Sequence, residues 1–93
     1  MKYFIDTHDR TKNSYPADEV SQEQFVAIYG DMDEALLSEG GFVTGAHVNL
    51  AEGKAFCQTA AEDEAAVAAA HEKIGFPYDS ITQVHRVSGV DLR

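Results

Sequence analysis

Six side chains in this sequence are chemically suited to ligate a metal or move a proton: Asp6, His8, His47, Cys57, His71 and His85. Asp6 and His8 come first because of their spacing. They close the run Phe4-Ile5-Asp6-Thr7-His8, whose composition reads as a strand, and residues two apart on a strand project from one face. A carboxylate and an imidazole therefore stand side by side. With a thiolate and further imidazoles they make a mixed O/N/S donor set, which suits a divalent late transition metal better than calcium or magnesium. No HxH, HxxxH or CxxC occurs, so any such site has to be assembled by the fold.

The elements that would assemble it are legible in order. After the first strand a polar loop carries Pro16. Ser21 and Gln24 have capping-box spacing, Val20 and Phe25 have staple spacing, and Phe25, Ile28, Met32 and Leu36 form one helical stripe that ends at Gly40-Gly41. Two β-rich runs then flank Ala51-Glu52-Gly53 and predict a hairpin. A three-residue connection places Leu50 opposite Lys54 and His47 opposite Cys57. The second helix, Glu62 to Ile74, has acids in its first turn, Lys73 in its last and Gly75 as its stop, with Val67, Ala70 and Ile74 on its apolar stripe and His71 beside it. "SITQVHRVSG" supplies the last strand.

The order βαββαβ predicts an α+β, ferredoxin-like sandwich as one domain over residues 1–93, with an antiparallel four-stranded sheet in the order 4-1-3-2 and both helices on one face. The other face has no cover within the chain, which points to a homodimer through that open face. A lone carboxylate is costly in a helix-covered core, so the preferred arrangement turns Tyr3, Ile5 and Thr7 to the helices. It leaves Asp6 and His8 on the open face with His47 and Cys57. The rival arrangement turns Asp6 and His8 inward to meet His71. His85, with no recognisable partner, reads as structural.

Bulk properties narrow the classes. Sixteen acids against seven Lys and Arg give a net charge of −9, which argues against nucleic acid or an anionic membrane surface and favours cations. A hydrophobic fraction of 44% fits a folded domain. A single cysteine cannot form an internal disulfide. No stretch approaches the roughly 20 apolar residues of a membrane span, so a cytoplasmic protein is expected.

At "FIDTH", "GKAFCQTAAEDEAAVAAAHEKIGFP" and "SITQV" the chain resembles a family of small bacterial domains that includes nickel-binding, nickel-responsive proteins. The matching elements are Asp6 and His8, then Gly53 with Phe56 and Cys57, then His71 with Gly75. The resemblance implies a ferredoxin-like fold, a homodimer and binding of nickel or a similar ion, with Asp6, His8, Cys57 and His71 as donors. Members also carry a His on the first helix, near the position that Tyr29 holds here. The alternatives are a small cofactor-independent oxygenase or isomerase, with His8 or His71 as base and Tyr29 or Tyr3 as hydrogen-bond donor, and an interaction domain without a ligand.

Overall fold

A computed structural model describes all 93 residues. The strands are β1 (Lys2–Asp9), β2 (Phe42–Asn49), β3 (Lys54–Ala61) and β4 (Ser80–Val84), and the helices are α1 (Gln22–Ser38) and α2 (Glu64–Ile74). The sheet runs β2-β3-β1-β4 with every neighbour antiparallel. Counted from its other edge this is the expected 4-1-3-2. No helix is long and apolar enough to cross a membrane.

Local signals set the helix ends. Ser21 caps α1 by accepting from the Gln24 backbone N–H at 3.1 Å, while Gln24 returns the bond to the Ser21 N–H at 2.8 Å. Asp63 caps α2 through the Ala66 N–H at 2.9 Å. Gly75 stops α2 at φ +70, left-handed backbone that a side chain would strain, and the Phe76 N–H then turns back to the His71 carbonyl at 3.0 Å. That turn brings Phe76 under the helix end.

Both helices pack on one face of the sheet, where Phe4, Met32, Ala35, Leu36, Ala61, Ala66, Val67 and Ala70 form the main core. A second cluster, Tyr15, Phe25, Ala55 and Cys57, lies beside it. Ile74 packs half-buried against the main core, and Ile28 is half-buried.

The hairpin register differs by one residue from the sequence expectation. Asn49 pairs with Lys54 and His47 with Phe56, so Cys57 lies opposite Ala46. The cause is Asn49. Its side-chain oxygen accepts from the Glu52 N–H at 3.0 Å, its amide donates to the Glu52 carboxylate at 2.6 Å, and its backbone carbonyl accepts from the Gly53 N–H at 2.9 Å. These bonds close a four-residue turn, and a slip of one residue sends the β2 side chains from Gly45 to Asn49 to the other face, up to an irregularity between Val43 and Gly45 where the register shifts again. Val48 therefore packs inward against the Cys57 cluster, and His47 points out.

Candidate metal centre

The parity of β1 decides the site. Phe4, Asp6 and His8 are the buried residues of the strand, whereas Tyr3 is half-exposed and Ile5 and Thr7 are half-buried on the other side. Asp6 and His8 thus face the helices, which corrects the open-face arrangement. An unpaired core carboxylate would indeed be costly, but this one is paired. Asp6 Oδ1 lies 2.6 Å from His8 Nε2 and 3.0 Å from His71 Nε2, and all three residues are at most 2% exposed. His71 reaches it from the last turn of α2, 65 residues along the chain.

The outer nitrogen of each ring is tied to backbone. His8 Nδ1 contacts the carbonyls of Ser14 at 2.9 Å and Pro77 at 2.7 Å, and His71 Nδ1 contacts the Val67 carbonyl at 2.8 Å. A carbonyl only accepts, so each Nδ1 carries a hydrogen and each Nε2 is turned to Asp6. A ring lone pair and a carboxylate oxygen would repel at these distances, so the two Nε2–Asp6 contacts are hydrogen bonds. Burial raises the Asp6 carboxyl, but the hydrogen bonds from His71 and His8, with their charges, outweigh it and hold Asp6 below its ordinary 3.8.

Cys57 completes the group. It sits directly opposite Asp6 across the β1–β3 pairing and is 2% exposed. The ligating atoms of Asp6, His8 and Cys57 all lie within 4.8 Å of one another. Burial, then the charge of Asp6, pushes the thiol well up, so it is protonated and inert at neutral pH. The second carboxylate oxygen, Asp6 Oδ2, is sealed from water with no hydrogen-bond partner. An orphaned acceptor between a thiol and two imidazoles, each with Nδ1 committed to backbone, is how a cation site looks when protons stand in for the ion. These residues fit a nickel- or zinc-type ion.

Aromatic side chains roof the cluster. Phe76 lies flat on His8 with ring centroids 4.1 Å apart and planes 4° from parallel, and Tyr78 meets His71 edge-on at 5.0 Å. Outside them is a shallow, open depression walled by Ala68, His71, Glu72 and Tyr78.

The remaining expected ligand does not reach the site. His47 is exposed on the open face, with Nδ1 3.4 Å from the Gln58 amide; the one-residue turn difference removed it. His85 lies exposed beyond β4. Two backbone carbonyls, of Ser14 and Pro77, had no signal in the sequence. Phe76 did, because the residue after a glycine cap commonly packs back under the helix.

A four-stranded antiparallel sheet with two helices on one face, enclosing a carboxylate, two imidazoles and a thiol, defines a small α+β domain with a metal-type donor set in its core. The family model described as "Nickel responsive protein SCO4226-like" matches residues 4–84, and the chain belongs to that family. Its fold is similar to the crystal structure of SCO4226 from Streptomyces coelicolor A3(2), with a TM-score of 0.77 and 20% sequence identity over 92% of this chain and 99% of that one. No curated protein is similar enough to count as a match.

Proposed function

We propose that the domain binds a divalent late transition metal of the nickel type through Asp6, His8, Cys57 and His71, and serves the cell as a cytoplasmic buffer or sensor of that ion. One observation carries the reading. Two buried imidazoles, their Nδ1 atoms fixed by carbonyls, turn both Nε2 atoms onto a single carboxylate oxygen beside a buried thiol. The nickel-responsive description of the family agrees with it. When bound, the ion would replace the protons that now hold these groups together. The chain itself supplies a preset tautomer on each ring, a dry surrounding and an aromatic roof.

Calorimetric titration of tag-free protein with nickel, zinc and copper tests this. One ion per chain is expected, with His8→Ala and Cys57→Ser each weakening it by roughly 10- to 100-fold or more, the usual cost of disturbing a metal site. No binding tighter than roughly millimolar to any of the three would end the proposal.

A homodimer through the open face belongs to the same reading. Tyr3, Phe42 and Phe56 expose 49%, 42% and 48% of their surface there, an apolar patch of the kind a second copy would cover. The enzyme alternative calls for an enclosed cavity beside an imidazole. Here the imidazoles are packed under Phe76 and Tyr78, and the depression outside them is open.

A further inference from the structure

Tyr29 packs from α1 against the cluster that contains Cys57 and Ala55, with its ring 5.2 Å from that of Phe25. Its hydroxyl oxygen is sealed from water and has no hydrogen-bond partner. That is a poor place to leave a donor. The Cys57 thiol of that cluster is the side chain within reach of this hydroxyl, although no well-aligned hydrogen bond joins the two, and the charge of Asp6 acts on it as well. Asp6 already accepts from two imidazoles, whereas a protonated thiol offers only a weak acceptor.

A sulfur that gives up its proton in this dry interior needs a donor. Neither imidazole can supply one, because each Nδ1 is committed to a carbonyl and each Nε2 to Asp6 or to the ion. Resting on the metal-site reading above, we propose that Tyr29 is the positioning residue for the Cys57 sulfur: its neutral hydroxyl turns onto the thiolate as the thiol proton leaves to solvent and the sulfur–metal bond forms. Burial foremost, with Cys57 and Asp6, pushes the ionisation of Tyr29 far up, so it acts as a donor and not as an anionic ligand.

Tyr29→Phe removes one oxygen and keeps the ring. In the metal-free protein it should melt close to the wild type, because the buried hydroxyl it deletes has no well-directed hydrogen bond there. Nickel binding should weaken roughly tenfold, as expected when a charged acceptor loses one hydrogen bond. With cobalt(II) as the optical probe, the sulfur-to-metal charge-transfer band should move to lower energy, since a sulfur without its donor gives up electron density more easily. Thr59→Val deletes another buried hydroxyl that lacks a partner, two residues from Cys57 along β3, and should leave the band in place. A markedly lower melting temperature in Tyr29→Phe, or an unmoved band, or a band moved by Thr59→Val alone, overturns the assignment. If cobalt gives no sulfur band in the wild type, the metal-site reading falls. The Tyr29 assignment is then decided by the same comparison with mercury(II), which takes a thiolate without help from the other donors.

Discussion

The two faces of this sheet are made by the same strands and do opposite things. The inner face spends three of its central positions, Asp6, His8 and Cys57, on polar groups that touch no water. The outer face, built from alternate residues of those strands, leaves Tyr3 and Phe56 half-exposed. A domain of this size folding for stability alone would have placed them the other way round. The inversion is tolerable inside because His8, His71 and the backbone carbonyls pair all four ring nitrogens and one oxygen of Asp6, leaving its Oδ2 unpaired. It is tolerable outside only if the apolar patch is covered or small.

The sharpest way to break this comparison is to remove the hub of the inner cluster. Asp6→Ala deprives both buried imidazoles of their shared partner, and the loss in a urea unfolding curve should reach about 3–5 kcal/mol, as when one member of a buried ion pair is removed. The matched change on the outer face, His47→Ala, should stay within about 0.5 kcal/mol and leave metal affinity untouched. Equal losses at the two sites would mean that the cluster does not hold the fold together.

The inner cluster should also announce itself through protons. If nickel binds at this cluster, it must displace the Cys57 thiol proton and those held in the Nε2–Asp6 contacts. Titrations in buffers of different ionisation heat count them directly, and affinity should climb steeply with pH. A release near zero would show that the ion sits elsewhere, for instance at His47 on the outer face.

How much of this was readable beforehand divides along the same line. Order of elements, the Ser21 capping box, the Gly75 stop and the pairing of Asp6 with His8 are local, and the sequence carries them openly. The choice of face is not local. Apolar residues occupy both parities of β1, Phe4 on one and Tyr3 and Ile5 on the other, so the strand does not label its own inside. The label comes from His71, whose imidazole cancels the cost that argued for turning Asp6 outward. The hairpin itself was legible, but its register was missed for a different reason: the Asn49 side chain substitutes for a backbone turn and adds a residue to the loop, which moved His47 away from Cys57.

A smaller effect follows from acid. The folded state holds the Asp6 carboxyl below its ordinary 3.8, so the unfolded chain takes up that proton first. The contribution of Asp6 is complete above pH 3.8 and is lost as pH falls through the lowered folded value. The alkaline side has the opposite sign. Burial and the Asp6 charge raise the Cys57 thiol above its ordinary 9.0, so its contribution is present below pH 9 and declines as pH rises beyond it. Unfolding monitored by circular dichroism should show both arms. In Asp6→Asn the acid arm should shrink; if it is unchanged, other carboxylates account for it.

The smallest effect on the inner cluster should come from the largest change to the outer face. Phe56 pairs with His47 and Thr7 across the sheet and leaves 48% of its surface uncovered. Phe56→Lys puts a charge in the middle of the apolar patch, where a second copy could bury it only at a cost of several kcal/mol. If two copies pair through this face as proposed, sedimentation should shift from dimer to monomer, while the melting of the isolated chain moves little, because an exposed side chain gives up few contacts. Metal affinity should not change at all, since no outer-face atom lies among the donors. If the dimer survives Phe56→Lys, the patch is not the interface. If metal affinity falls with the dimer, the two faces are coupled through the strands they share, and the independence argued from their geometry fails.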